Sequence, residues 1–314
     1  MGVQLDLFGE PQVQAAAPIE VKVEEEPVEL APGPLPGQMD LFGDRWLRAA
    51  AAQKAIETFD LDVAAGALRE TMRSYPSDAA LRERAELVAK LAASQREARK
   101  KTKSPSRALA ALAPEIPSFL EKAWHHRLAE LMEEEHGPGA VIDAVPAGLH
   151  WLRAGEPTRA EDSLRRTLEL DPSDCTARGV LAEALFAQDR QHESRLIYRD
   201  ALAVSPRDVD LRSAEDISVR DLPGLAEEEY ELPGDPVEWA AAIGLLEGVF
   251  IPPATVPEDW LAPENLEGHS PGVQFYRWLV AEKAAQDDTK RIACRRAMKA
   301  LSPRLMKELL ARKG

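Results

Sequence analysis

The sequence has few cysteines and no long uninterrupted run of apolar residues. Its two cysteines, Cys175 and Cys294, are far apart, and neither belongs to a CxxC pair. This argues against a disulfide framework and against a zinc site. The longest apolar stretches, such as AVIDAVPAGLHWL, carry a charge or a proline, and the N-terminus has no basic segment followed by an apolar one. We therefore expect a cytoplasmic protein without a membrane segment.

Motifs for catalysis and cofactor binding are also missing, since there is no Walker A sequence and no GxGxxG. GHSPG at residues 268–272 has the spelling of a hydrolase nucleophile elbow, but Pro271 lacks the backbone N–H that an oxyanion hole needs. We interpret Ser270 as a helix N-cap and Pro271 as a residue of the first helical turn. His126 and Glu130 share a helix face without a second set of ligands, which favours a solvated helix over a metal site. The sequence predicts no enzyme, no cofactor and no metal.

Negative charge dominates the composition, and it is concentrated in places. The formal net charge is -15, so the average field of the chain does not favour coating DNA. Residues 1–43 hold six of the 24 prolines and eight acidic residues, with Lys22 as the single basic residue. Such a segment cannot bury enough apolar surface to offset its ordering entropy, so we predict a disordered tail.

From Arg45 onward, Ala, Leu, Arg and Glu recur at helical spacing, which predicts an all-α fold. We divide the chain into the tail at 1–43, an N-terminal helical region at 44–113, helical repeats at 114–213, and an acidic segment with C-terminal helices at 214–314. The stretch at 90–107 has seven basic residues and Pro105, and we interpret it as a fraying helix end followed by a linker.

Three helical stretches end in similar proline turns, namely ALRETMRSYPSD, SLRRTLELDPSD and IYRDALAVSPRD, and the prolines of the last two are 34 residues apart. This period and pattern resemble the tetratricopeptide repeat. Unit 141–174 matches its positions with Gly148, Trp151, Ala160, Leu164 and Pro172; unit 175–208 with Leu181, Tyr198, Ala201 and Pro206; and unit 45–78 with Ala64, Leu68 and Pro76. The pattern departs at Ala144, where the family has Trp. The resemblance implies a helical-repeat solenoid, which needs capping helices on both sides.

In this family, the first helix of each unit lines a groove that binds peptides. Transferred by position, the groove residues would be Ile142, Val145, Leu149, Leu152, Arg153, Glu183 and Phe186. Helical apolar spacing alone does not separate a groove from an ordinary core, so both interpretations stay open.

The tail repeats one pentapeptide. The first copy is Gln4, Leu5, Asp6, Leu7 and Phe8, and the second is Gln38, Met39, Asp40, Leu41 and Phe42. Both resemble the motif that binds the bacterial sliding clamp, in which leucine and phenylalanine anchor in a pocket of the clamp. The alternatives are a hydrophobic contact with the helical body, a staple on the first helix, or chance.

A basic stripe of Arg291, Arg295 and Lys299 runs along a predicted C-terminal helix, opposite Cys294, Met298 and Leu301. It could follow nucleic-acid phosphates, form a solvated face, or pair with the acidic run at 215–238. We favour the last two because no aromatic residues interleave with the basic ones.

Together these features predict a bacterial adaptor without enzymatic activity. Its tail would tether it to the sliding clamp, its helices would bind an unidentified protein or peptide, and its process would be DNA replication or repair. The alternative is a tetratricopeptide scaffold of another pathway that does not bind the clamp.

Overall fold

Helix-forming residues dominate the chain beyond the tail, and the computed structural model is mostly helical there. The structure describes residues 50–74, 76–256, 266 and 268–312, all within one compact unit, Leu47–Gly314. The predicted disordered tail at 1–43 and both pentapeptides lie outside the described residues. The region boundaries after residues 113 and 213 stay predictions.

Short connections join the helices of the first part of the chain. In order these are α1 (residues 50–57), α2 (Leu61–Ser74), α3 (Ala79–Lys101), α4 (Pro105–Ala110), a 3₁₀ turn (Ala113–Glu115), α5 (Ser118–His136), α6 (Ala147–Arg153), α7 (Pro157–Leu170), α8 (Cys175–Phe186) and α9 (Gln191–Leu202). Helix α3 stays helical through most of the stretch interpreted as a fraying end, so the linker at this point is shorter than predicted.

Shorter elements follow α9 before three longer helices close the chain. They are 3₁₀ turns at Pro206–Asp208, Leu211–Ser213 and Pro236–Trp239, a π-helical turn at Leu225–Glu229, α10 (Ile217–Arg220), α11 (Leu222–Gly224), α12 (Ala240–Leu246), α13 (Pro271–Ala284), α14 (Asp288–Leu301) and α15 (Pro303–Arg312). Ser270 is the N-cap residue of α13 and Pro271 its first residue, as predicted, although the Ser270 side chain makes no capping hydrogen bond.

Three helices end in the same way. At Phe59, Gly155 and Asp189 the backbone turns left-handed, with φ of 53°, 79° and 61°. Each of these residues donates its N–H to the carbonyl three residues back, and the next residue donates to the carbonyl five residues back. This pair of bonds is the Schellman motif, which satisfies carbonyls at a helix end. A proline follows each left-handed residue at the same distance (59 to 76, 155 to 172 and 189 to 206).

The two PSD turns also start the next helix alike. Asp78 accepts a hydrogen bond from the N–H of Leu81 at the start of α3 (3.0 Å), and Asp174 accepts one from Ala177 at the start of α8 (2.8 Å). Such carboxylate caps satisfy N–H groups that the helix itself leaves without a partner. The third turn differs, because Pro206–Asp208 is itself a 3₁₀ turn.

Residues 141–146 correct the sequence-based assignment. They form a hairpin of two short antiparallel strands, β1 (Val141–Ile142) and β2 (Val145–Pro146), and α6 begins only after it. Asp143 and Ala144 both have positive φ, 51° and 63°, as a tight two-residue hairpin turn requires. Ile142 and Val145 therefore lie in the hairpin and not on the helix where the repeat pattern put them.

The core consists of three clusters of buried side chains. The first extends from α1 to the start of α6, and the second joins α5 to α8 around Trp151, Leu164 and Leu181. The third joins α8 and α9 to the C-terminal helices and contains Trp239 as well as Tyr198 of α9. The candidate site lies where the second and third clusters meet.

The acidic run at 215–238 is held by arginines of α9 and of the turn that follows it. Arg195 of α9 makes two bonds to Asp216, at 2.6 and 3.2 Å, and Arg207 pairs with Glu238 at 2.7 Å. Both carboxylates are buried. Pairing therefore fixes this segment against α9 and the turn that follows it.

Candidate peptide-binding groove

A cavity of about 580 Å³ opens between α6 and α8. Leu149, Leu152 and Arg153 line it from α6, and Val180 and Glu183 line it from α8. The segment after α9 closes its rim with Asp208, Asp210 and Glu215. We call the apolar residues Leu149, Leu152 and Val180 the floor of the cavity, and the acidic residues Asp208, Asp210 and Glu215 its rim. A cavity that combines apolar and charged residues in this way is suited to bind part of a peptide.

Two glycines set the separation of the helices around this cavity. A methyl group at Gly148 of α6 would stand 2.3 Å from Cγ of Leu164, so only glycine lets α7 approach this closely. One at Gly179 of α8 would stand 3.2 Å from a methyl of Val209.

A buried histidine pair joins α6 to α5. The Nδ1 atoms of His125 and His150 are 2.8 Å apart, and Trp124 packs against both rings. The pKa of His125 is lowered to about 4, by burial and by the nearby charge of Arg153, and that of His150 to about 3, by burial, by His125 and by Arg153. Both rings are therefore neutral at neutral pH, and the Nδ1–H of one ring donates a hydrogen bond to Nδ1 of the other.

Four of the seven residues predicted for a groove line this cavity: Leu149, Leu152, Arg153 and Glu183. Ile142 and Val145 do not, and Ile142 packs against the first core cluster. Phe186 is half-buried at the end of α8 and is also not part of the lining.

Sequence reasoning missed the acidic rim. Asp208 ends the last proline turn, and Asp210 and Glu215 follow it, where the repeat pattern ends and gives no register. The only sequence signal was the acidic run that begins at residue 215. Tyr198, which was matched only to a position of the repeat, is buried and also lines the cavity.

Glu183 is the most strongly perturbed group of the cavity. The Tyr198 hydroxyl donates to its Oε1, and the N–H of Glu215 donates to its Oε2 at 3.1 Å. The pKa of Glu183 is raised to about 7, mainly by burial; the neighbouring carboxylates of Glu215, Asp216 and Asp210 act in the same direction and the N–H of Glu215 acts against them. Glu183 therefore changes charge close to neutral pH.

The rim carboxylates differ from the other acidic residues nearby. Within the described ranges, Asp208, Asp210 and Glu215 form no ion pair, whereas Asp216 and Glu238 are each paired with an arginine. Arg153 is the only cationic residue that lines the cavity, and it also forms no ion pair with any described residue. The lining therefore carries an excess of negative charge.

The basic stripe of α14 is partly engaged within the protein. Arg295 donates from Nε and Nη2 to buried Glu282 of α13, at 2.9 and 2.8 Å, and Arg291 pairs with Asp288 at 3.3 Å. Lys299 is exposed. Pairing of the stripe with the acidic run, one of the alternatives, is not seen among the described residues; Arg304 of α15 pairs with Glu231 of that run instead. On the opposite face of α14, Cys294 and Met298 are buried.

No described helix combines the length and the apolar character needed to cross a bilayer. Within the same residues, no cluster of three or more His, Cys, Asp or Glu side chains is placed to hold a metal ion. Comparisons with family models, with curated proteins and with solved structures gave no match to this chain.

Proposed function

We propose that this protein is an adaptor without enzymatic activity, and that the cavity between α6 and α8 binds a segment of a partner protein. The observation that carries this is the common lining of one cavity by Leu149, Leu152, Arg153 and Glu183, which come from the first helices of successive helical hairpins. The repeated Schellman ends and aspartate caps support a tetratricopeptide-like arrangement of these hairpins.

The second half of the proposal is a tether to the bacterial sliding clamp, which would place the adaptor in DNA replication or repair in the cytoplasm. It rests on the sequence alone, because both pentapeptides precede the described residues. Two copies joined by the 29 residues from Gly9 to Gly37 span about 30 Å as a flexible chain. If the clamp offers two equivalent pockets, both copies can engage at once and raise the overall affinity about 10²-fold.

The test is a titration of the full chain with purified sliding clamp. We expect binding at about micromolar affinity or tighter, partial loss in each of Phe8→Ala and Phe42→Ala, and loss of binding in the double variant. The matched control is Leu30→Ala with Leu35→Ala, which removes two apolar side chains of the same tail outside the motifs.

Equal loss in one single variant and the double variant would leave the other copy without a role. No binding by the unmodified chain would contradict the tether and favour the alternative, a tetratricopeptide scaffold of another pathway. In that alternative the tail engages the body, so deletion of residues 1–43 changes the stability or peptide affinity of the remaining chain. A tether leaves both unchanged.

The last part of the proposal is direct contact of α14 with nucleic acid. Within its basic stripe Arg291 and Lys299 are exposed, and Arg295 is engaged by Glu282. Binding of this kind weakens steeply with salt, so retention of labelled DNA at low salt and its loss on Lys299→Ala would support it.

A further inference from the structure

We infer that the occupant of the cavity between α6 and α8 is a cationic peptide segment, in which lysine or arginine alternates with aliphatic residues. This rests on the proposed function, because it names the chemistry of the segment that the groove would bind. The argument concerns the floor of the cavity, its rim and the acidic tail of the chain itself.

The rim selects charge. Asp208, Asp210 and Glu215 all line this one cavity, and within the described residues no arginine or lysine neutralises them by an ion pair. Burying a cation of a partner beside them relieves their mutual repulsion, whereas an anionic partner would add to it. A lysine or arginine side chain is therefore favoured at the rim.

The floor selects aliphatic side chains. Leu149 and Leu152 on α6 and Val180 on α8 present half-buried apolar surface to the cavity. Each aliphatic side chain that covers this surface gains the free energy of removing apolar area from water. In an extended peptide successive side chains point to opposite sides, so an alternating segment can place its aliphatic residues on the floor while the intervening cations reach the rim.

The chain's own tail fits this site poorly. Residues 1–43 carry eight acidic residues against Lys22, so the rim repels the tail electrostatically. Both pentapeptides include an aspartate, Asp6 or Asp40. The occupant is therefore a segment of another protein.

Two fluorescein-labelled hexapeptides test the inference by fluorescence anisotropy on the full chain. One alternates leucine with lysine and the other leucine with glutamate. We expect the lysine peptide to bind at least about tenfold more tightly, with an advantage that shrinks as salt is added.

Three variants identify the site. The first, Asp208→Asn with Asp210→Asn and Glu215→Gln, removes three rim charges at nearly constant shape and should abolish the preference for lysine. Its matched control removes three exposed charges elsewhere, by Glu83→Gln, Glu86→Gln and Glu121→Gln, and should keep the preference. The third, Leu152→Ala, should weaken binding of the lysine peptide several-fold.

The outcomes distinguish failure of the cationic inference from failure of the proposed function. If both peptides bind alike and Leu152→Ala weakens both, the cationic inference is overturned and the groove of the proposed function stands. If neither peptide binds, or if Leu152→Ala changes nothing, the cavity is not a peptide site and both are overturned. Equal loss of preference in the rim variant and its matched control would also overturn the inference, because the effect would then come from net charge.

Discussion

Two helical hairpins, α1 with α2 and α6 with α7, have the same left-handed turn at the end of their first helix. Only the second hairpin borders the open cavity described above. At the position equivalent to Leu152, which is half-buried, the first hairpin has buried Ile56. At the position equivalent to Val180, α3 has Arg84, whose guanidinium lies 5.3 Å from the ring of Phe119 in α5. Phe119 of α5 thus contacts α3 at the position that in α8 lines the cavity. The turn chemistry sets the spacing of the helices, and the neighbouring helix decides whether a groove remains.

The largest effect that separates the two hairpins should come from glycine. Gly148 in α6 occupies the position of Ala52 in α1, and its missing side chain leaves room for Leu164. We expect Gly148→Ala to lower the free energy of unfolding by about 1–3 kcal/mol through overpacking, measured by urea denaturation.

The matched control is Gly66→Ala in the middle of α2, where a methyl group meets nothing within 4 Å. It should raise the free energy of unfolding by about 0.5–1 kcal/mol, because alanine is the better helix former. Equal gains in both variants would contradict the close approach of α6 and α7.

The next effect concerns charge at equivalent positions of α3 and α8, where Leu87 corresponds to Glu183. The pKa of Glu183 is raised to about 7 in the folded protein. The stability that protonated Glu183 contributes is therefore fully present below the pKa that this glutamate has in the unfolded chain, and it is lost as pH rises through about 7. Glu183→Gln stays neutral and can still accept a hydrogen bond. We expect its stability relative to the unmodified protein to rise by about 1 kcal/mol between pH 6 and pH 8, measured by urea denaturation.

Glu161 of α7 has a pKa shifted in the opposite direction, so its effect on stability depends on pH in the opposite way. Burial works against its ionisation, but Arg165, Gln188 and Arg190 overcome this and lower its pKa. Its contribution to stability is present above the unfolded pKa and lost as pH falls, so Glu161→Gln should be destabilising at pH 8. A relative stability of Glu183→Gln that stays constant between pH 6 and pH 8 would contradict the raised pKa of Glu183.

The groove shows where sequence reasoning succeeds and where it stops. The helix ends were predictable because proline turns and aspartate caps are local, and Leu149, Leu152 and Glu183 follow from the repeat register. The hairpin at 141–146 was missed because its left-handed Asp143 and Ala144 carry no glycine signal. The acidic rim was missed because its residues approach α8 only through tertiary packing after the repeat pattern ends.

The smallest difference should lie in the three proline turns. Asp78 and Asp174 each cap a helix through an N–H bond, and Arg82 and Arg178 each donate to the carbonyl of the proline in the same turn. Asp78→Ala and Asp174→Ala should therefore each cost about 1 kcal/mol, measured by urea denaturation.

Asp208 occupies the same position in the third turn, but no helix follows at once and its side chain forms no capping bond among the described contacts. Asp208→Ala should cost less than about 0.5 kcal/mol, as surface substitutions usually do. It should instead weaken binding of the lysine peptide, because Asp208 lines the cavity. A loss of stability equal to that of the other two would mean that all three turns are structural caps. A small loss accompanied by weaker peptide binding would mean that the last turn has exchanged a capping role for a place in the groove.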